Sequence, residues 1–117
     1  MAKLLLGDED ERVLRLMAWV LEAEGHETVS VQSTEQAMRT ARSRRPDLVL
    51  FDVSLPRALR ARVIEDLRRV APTVHVIDVA TYREAKGRLV RGADRELLQP
   101  FDADELLAIV HDLTTDS

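Results

Sequence analysis

The stretch Asp47-Leu48-Val49-Leu50-Phe51-Asp52-Val53-Ser54-Leu55-Pro56 decides the fold. Residues 48–51 form an apolar run that is typical of a short strand buried on both faces of a sheet. The run ends on one carboxylate, Asp52, and Pro56 opposes any continuation of the strand. Because open α/β sheets bind their ligands beyond the carboxyl ends of the strands, Asp52 is the first candidate for a functional residue.

The rest of the chain alternates between strand-type and helix-type patterns. Short apolar or alternating runs predict strands at residues 3–6, 27–31, 48–51, 74–79 and around 97–98. Each run is followed by residues with helical periodicity, and four of the helices are expected to begin at Asp10, Ser33, Thr81 and Asp102. The fourth helix is expected to be short and to end near Arg91, where Gly92 follows.

This alternation predicts the class of fold. Strand–helix repeats at this spacing form right-handed βαβ crossovers, which place helices on both faces of a parallel sheet. We therefore expect an α/β chain with a (βα)5, flavodoxin-like, doubly wound sheet. The strand order 2-1-3-4-5 fits best, because the second strand alternates and the fifth is flanked by charges, as suits the edges of a sheet.

Composition limits the function. The 117 residues, 45% hydrophobic and 32% charged, predict one domain over 1–117, in which 113–117 is a polar tail or the start of a linker. No apolar run approaches the ~20 residues of a membrane span, and no signal-peptide pattern opens the chain. The absence of cysteine fits a cytoplasmic protein. A net charge of −4 argues against direct binding of nucleic acid.

Two acidic residues follow the predicted first strand, the neighbour of the third in this strand order. Asp8 and Glu9 would therefore lie beside Asp52, and three carboxylates in one crevice stay ionised only when a cation joins them. Carboxylate oxygens with water suit Mg²⁺. The alternative is that Asp8 and Glu9 only cap the first helix, but Asp10 already supplies that cap.

Four short segments strengthen this interpretation when they are taken together. They lie at residues 3–10, 46–52 with 55–56, 92–94, and 100–101. In this order and spacing they resemble the receiver domains of bacterial response regulators, the proteins of two-component signalling. The resemblance covers nearly the whole chain. Each segment is weak evidence alone, but the set is specific.

The resemblance implies a chemistry for the site. Asp52 would accept a phosphoryl group from a phosphohistidine, and Asp8, Glu9, Asp52 and the backbone carbonyl of Ser54 would hold Mg²⁺. An ionised carboxylate attacks phosphorus while the metal neutralises charge on the equatorial oxygens. The domain would not be an enzyme, except that it assists its own phosphorylation and dephosphorylation.

Partners are implied in the same way. The phosphoryl donor would be a sensor histidine kinase or a phosphotransfer protein, and the domain would signal to a partner or an output domain. A homodimer through the fourth helix, fifth strand and fifth helix is a further expectation. Trp19 falls off the apolar face of the first helix and is a candidate partner contact, although its ring could equally lie over neighbouring aliphatic stems.

The chain departs from the usual receiver pattern at several positions. Receivers usually have a Lys before the proline of the last turn, and here that residue is Gln99, which brings no charge. The usual Ser or Thr at the end of the fourth strand aligns with Ala80, while Thr81 is expected to cap the next helix. Glu96 occupies the position of the aromatic switch residue.

Three further charged residues stand out in the sequence. Arg57 and Arg60 follow Asp52 where receivers usually have glycines. We expect two solvated arginines, and the alternative hypothesis is that one of them partly replaces the missing Lys. Asp78 lies inside the predicted fourth strand, so it needs a partner or will be neutral with a raised pKa.

Two functions from different classes remain open. The first is a receiver that is phosphorylated on Asp52, which the acidic residues favour. The second is a degenerate receiver that binds proteins without phosphorylation, which Gln99, Ala80, Glu96 and the short fourth helix favour. A flavodoxin-like cofactor binder is poorly supported, because acidic residues after the first strand would repel a nucleotide phosphate.

Overall fold

The computed structural model describes residues 1–52, 55–85 and 87–115. The strands are β1 Lys3–Asp8, β2 Glu27–Val31, β3 Leu48–Asp52, β4 His75–Thr81 and β5 Arg95–Gln99. The helices are α1 Glu11–Glu22, α2 Thr34–Arg44, α3 Arg57–Val70, α4 Tyr82–Ala85 and α5 Ala103–Thr114. Each predicted strand and helix is present, in the predicted order.

The five strands form one parallel sheet with the order β2-β1-β3-β4-β5. The predicted doubly wound topology is therefore confirmed, and β2 and β5 are its edges. In the register of β1 with β3, Asp8 lies directly opposite Asp52. The carboxyl ends of the two central strands thus bring both acidic residues to one point on the sheet.

Alternation of side chains along the strands supplies a core on each face of the sheet. Leu4 and Leu6 pack in the layer that contains the buried residues of α1 and α5, whereas Leu5 packs in the layer of α2 and α3. Complete burial of one such side chain contributes about 1.5–3 kcal/mol. These two layers fix the strand ends, and with them the position of Asp8 and Asp52.

The predicted helix starts are confirmed by their hydrogen bonds. The side chains of Asp10, Ser33 and Asp102 accept hydrogen bonds from the backbone amides of the first turns of α1, α2 and α5. Thr81 and Glu84 exchange hydrogen bonds at the start of α4, as a capping box does. Local sequence signals therefore place these helix starts correctly.

The predicted end of the fourth helix is wrong. α4 ends at Ala85 rather than near Arg91, and residues 88–90 have no regular secondary structure. Gly87 has a φ of +73°, which takes the backbone out of the helical conformation. The Arg57 guanidinium donates to the carbonyl oxygens of Glu84 and Arg88, so a side chain from α3 satisfies backbone groups here.

The buried face of α3 also differs from the prediction. Leu59, an apolar residue of the first turn of α3, is 47% exposed, whereas Arg60 is 2% exposed. The residues that face the sheet are Arg60, Ile64 and Leu67, which have the i, i+4, i+7 spacing of one helix face. The expectation of a solvated Arg60 is therefore wrong.

None of the helices within the described ranges has both the length and the apolar character that crossing a membrane requires.

Candidate functional site

The site is built around two carboxylates on neighbouring strands. Asp8 ends β1 and is 6% exposed, and Asp52 ends β3 and is half-buried. Asp8 Oδ1 accepts a hydrogen bond of 2.8 Å from the amide of Asp10. Its other oxygen, Oδ2, is buried and has no hydrogen-bond partner among the described residues. A buried carboxylate oxygen without a partner is unusual, and a cation would satisfy it.

The surroundings of Asp52 oppose its ionisation. Burial raises the pKa of Asp52 to about 8, and the neighbouring carboxyl group of Asp8 and the negative charges of Glu84 and Asp78 add to this rise. At neutral pH the carboxyl group therefore keeps its proton unless a positive charge compensates for the repulsion. A nucleophilic carboxylate needs such compensation in this pocket.

The predicted metal ligands are only partly brought together. Asp8 and Asp52 are adjacent, whereas Glu9 lies one residue beyond β1 and is exposed. The described part of the chain contains no group of three His, Cys, Asp or Glu residues that could hold a metal ion. Ser54 lies outside the described residues. The unpartnered oxygen of Asp8 and the raised pKa of Asp52 nevertheless fit a divalent cation between these two residues.

Gln99 contacts Asp52 directly. The Gln99 side-chain amide donates a hydrogen bond of 2.8 Å from Nε2 to Asp52 Oδ2, across 47 residues of sequence. Gln99 is the last residue of β5, and its peptide bond to Pro100 is cis. The sequence therefore placed Gln99 correctly beside Asp52, where it supplies a neutral hydrogen bond in place of a cation.

The residues at the end of β4 bring no free hydroxyl group to Asp52. Ala80 is 1% exposed and contributes only a methyl group. The Thr81 hydroxyl accepts from the amide of Glu84 at 3.2 Å and bonds to the Glu84 carboxylate at 3.2 Å. The expectation that Thr81 caps the fourth helix is confirmed, and its hydroxyl is occupied by that cap.

Sequence reasoning did not foresee a buried ion pair beside this site. Arg60 Nη2 lies 2.9 Å from Asp78 Oδ2, and the two side chains are 2% and 0% exposed. Burial raises the pKa of Asp78 to about 6, while the charge and hydrogen bond of Arg60 oppose that rise. The position of Asp78 inside a buried strand indicated that it needs a partner. Nothing in the sequence pattern identified Arg60 as that partner.

A further acidic residue lies next to this ion pair. Glu96 is directly opposite Asp78 in the register of β4 with β5. Its Oε2 atom is buried and makes no hydrogen bond within the described ranges. The position where receivers usually have an aromatic residue thus carries a second, incompletely paired carboxylate.

Comparison with known proteins agrees with this geometry. A family model described as the response regulator receiver domain matches residues 4–111. Similar curated proteins include the DNA-binding response regulator MtrA of Mycobacterium tuberculosis, which is 31% identical over 116 residues, covering 92% of this chain and 48% of that protein. The alkaline phosphatase synthesis transcriptional regulatory protein PhoP of Bacillus subtilis is 27% identical, covering 92% of this chain and 46% of that protein. The chain spans about half the length of these curated relatives.

Solved structures show the same fold. A two-component response regulator from Clostridium difficile aligns with a TM-score of 0.84 at 22% identity, covering 97% of this chain and 95% of that one. A CheY-like receiver domain protein from Methanospirillum hungatei aligns with a TM-score of 0.82 at 23% identity, covering 96% and 92%. At these identities the likeness supports the fold alone.

The fold and the site define a class, a parallel α/β domain with paired carboxylates at the carboxyl ends of its central strands. With a family model that covers nearly its whole length, the chain belongs to the response regulator receiver domain family. Phosphorylation on an aspartate is the general function of this family, and its members generally depend on Mg²⁺ and interact with histidine kinases.

Proposed function

We propose that this receiver domain accepts a phosphoryl group on Asp52 from the phosphohistidine of a sensor histidine kinase or a phosphotransfer protein. The observation that carries the proposal is the position of Asp52 at the carboxyl end of β3, directly opposite Asp8 and bonded to Gln99. The domain is proposed to be a cytoplasmic signalling domain rather than an enzyme. The degenerate receiver is not favoured, since Asp52 and Asp8 are both present and lie opposite each other.

The transfer itself requires little from the protein beyond charge and position. An ionised oxygen of Asp52 attacks phosphorus, and the new O–P bond forms as the N–P bond to the donor imidazole breaks and leaves its electrons on nitrogen. Asp8 and Asp52 would hold Mg²⁺, with Glu9 and the Ser54 carbonyl as further predicted ligands. When bound, Mg²⁺ supplies charge neutralisation for the carboxylates and the phosphoryl oxygens.

Gln99 has a defined part in this proposal. Its amide donates to Asp52 Oδ2 in the free domain and can donate to a phosphoryl oxygen after transfer. The neutral amide of Gln99 stabilises anionic phosphoryl oxygens less than the ammonium group of a Lys would, because only the Lys adds a positive charge. We therefore expect slower phosphorylation than in a receiver with Lys at this position.

An exposed apolar surface beside the site suits a docked partner. On α1, Trp19 is 73% exposed and Leu16 is 61% exposed. Leu16 lines an apolar groove of about 520 Å³, whose lining also includes Phe101 and Gln99. Because Gln99 also contacts Asp52, a donor protein seated in this groove would lie beside the acceptor. A homodimer through α4, β5 and α5 remains a separate proposal.

The proposal is tested by chemical phosphorylation. Incubation with acetyl phosphate and Mg²⁺, followed by intact-mass spectrometry, is expected to add the mass of one phosphoryl group to the parent chain and none to Asp52→Asn. Asp66→Asn, which changes an exposed aspartate of α3, serves as the matched control and should label like the parent. Labelling of Asp52→Asn at the parental rate, or no labelling of the parent, would contradict the proposal.

A further inference from the structure

One buried side chain of α3 contacts three other parts of the chain around Asp52. From the first turn of α3, Arg60 Nη2 bonds to Asp78 Oδ2 in β4 at 2.9 Å. Arg60 Nη1 donates to the carbonyl of Leu55, in the loop after β3, at 3.3 Å and lies 3.7 Å from Glu84 Oε2 in α4. The loop that follows the phosphorylation site, the centre of β4 and the fourth helix therefore all contact one guanidinium group.

The acidic partners of Arg60 are electrostatically linked to Asp52. Burial and Asp8 are the main causes of the raised pKa of Asp52, and the negative charges of Glu84 and Asp78 raise it further. Interaction between charges is mutual, so a change of charge at Asp52 must act on Glu84 and Asp78 as strongly as they act on Asp52. The charge on Asp52 therefore interacts with both carboxylates that contact Arg60, those of Asp78 and Glu84.

The cluster is incompletely paired as it stands. Three carboxylates, those of Asp78, Glu84 and Glu96, lie around this guanidinium or next to its partner. Arg60 Nε, Asp78 Oδ1 and Glu96 Oε2 are buried and have no hydrogen-bond partner in the described part of the chain. Unused donors and acceptors at such close quarters offer Arg60 alternative partners when the local charge changes.

We propose that Arg60 is the positioning residue that couples the phosphorylation of Asp52 to α4, through its contacts with Asp78 and Glu84. The inference rests on the proposed phosphorylation of Asp52. An aspartyl phosphate carries about two negative charges, against one on the ionised carboxylate that it replaces, and this added charge repels Glu84 and Asp78 and attracts the guanidinium. Arg60 then shifts toward the loop after β3, its contact with Glu84 weakens, and α4 is released from the position it has in the free domain.

This coupling accounts for two departures from the family pattern. Receivers are expected to use a hydroxyl at the end of β4 and an aromatic residue in β5, and this chain has the Ala80 methyl group and Glu96 there. A buried ion pair is sensitive to added charge, whereas a methyl group is not. Arg60 and Asp78 therefore couple Asp52 to α4 through charge.

The test compares variants that keep the fold but lose the charges. In Arg60→Met/Asp78→Val both members of the pair become apolar, and such replacement of a buried ion pair is often neutral or stabilising. Glu84→Gln removes the charge that contacts Arg60 and also acts on Asp52, while Gln at this position still completes the capping box with Thr81. The matched controls are Arg62→Met and Glu65→Gln, which alter exposed charges of α3.

Beryllofluoride with Mg²⁺ is the probe, and backbone amide chemical shifts are the measurement. In the parent and both controls we expect shift changes that extend from Asp52 to Glu84 and Glu96. In the double variant the shift changes should stay near Asp52. The population of the altered conformation of α4 should be at least about fivefold lower than in the parent. In Glu84→Gln the shift changes at α4 should be reduced in the same way.

Labelling with acetyl phosphate separates the two proposals. If the parent is not labelled, the phosphorylation of Asp52 is wrong and the coupling falls with it. If the parent and the double variant are both labelled and their shift changes at α4 are equal, the coupling through Arg60 is wrong and phosphorylation stands. Shift changes in the parent that never reach Glu84 would also overturn the coupling alone.

Discussion

Both sides of the Asp52 pocket bury carboxylates, but they balance the negative charge differently. On the side of β1 and β3, Asp8 and Asp52 lie opposite each other with no basic partner among their described hydrogen bonds. On the side of β4 and α4, the Arg60 guanidinium is built into the fold and contacts two carboxylates, Asp78 and Glu84. One side lacks a cation, and the other already contains one.

The difference separates two uses of buried charge. A pair of unbalanced carboxylates costs stability, but it creates a place where a divalent ion can bind and a nucleophile can form. A paired charge fixes the relative positions of the elements it joins, and it responds when charge is added nearby. The first arrangement fits the chemistry of transfer, and the second fits its communication to the rest of the domain.

The largest expected effect is on stability, from Arg60→Met alone. This change leaves the Asp78 carboxyl group buried without its partner, and breaking a buried pair in this way costs about 3–5 kcal/mol. The free energy of unfolding, from urea denaturation, is the measurement. The exposed Arg62→Met should change it by less than about 0.5 kcal/mol.

The same experiment has a pH signature. The pKa of Asp78 in the folded parent is about 6, above its ordinary value, so the folded state keeps a proton that the unfolded state releases. The free energy of unfolding of the parent therefore falls as pH rises to about 6. Above that pH, Asp78 causes little further loss of stability. Without Arg60 the pKa rises further, so the deficit of Arg60→Met should grow from pH 6 to pH 8. A deficit that does not depend on pH would mean that lost packing, and not Asp78, causes it.

On the side of Asp8 and Asp52, we expect a substitution to increase the free energy of unfolding, by less than Arg60→Met decreases it. Because the folded pKa of Asp52 is about 8, above its ordinary value, the parent loses stability as pH rises toward 8 in the absence of a metal. Asp52→Asn removes this titration and should be about 1–2 kcal/mol more stable than the parent at pH 8 in a chelator. At pH 5 the two should differ much less.

Mg²⁺ provides the control for that prediction. A ligand that binds only the folded state stabilises it by mass action, so Mg²⁺ should stabilise the parent and have little effect on Asp52→Asn. The advantage of the variant at pH 8 should therefore shrink as Mg²⁺ is added. An equal response of both proteins to Mg²⁺ would place the ion away from Asp52.

Most of the fold was predictable because its signals are local. The apolar run at 48–51 and the capping residues of the helices act within a few positions, and the edge character of β2 and β5 indicated the strand order. Three residues of the site, Asp8, Asp52 and Gln99, were predictable for a related reason. Parallel strands end at one edge of the sheet, so residues at their ends must converge.

The parts that escaped prediction depend on distant contacts. Arg60 is buried because of the rotation of α3 about its axis, and its partner Asp78 is 18 residues away in sequence. A periodicity argument assigns Arg to the surface and therefore places Leu59 inside instead. The early end of α4 depends on Gly87 and on the side chain of Arg57, which reaches across from α3. No local pattern contains this information.

The smallest expected effect sharpens the comparison by moving a cation to the acidic side. Gln99→Lys replaces the uncharged donor to Asp52 Oδ2 with an ammonium group, and the added Coulomb attraction contributes about 1 kcal/mol. This should lower the pKa of Asp52 and raise the rate of labelling by acetyl phosphate about fivefold. Gln36→Lys, which adds the same charge on the exposed surface of α2, is the matched control and should label like the parent. If both variants gain equally, net charge alone would be responsible. If Gln99→Lys gains nothing, the missing cation does not limit phosphorylation.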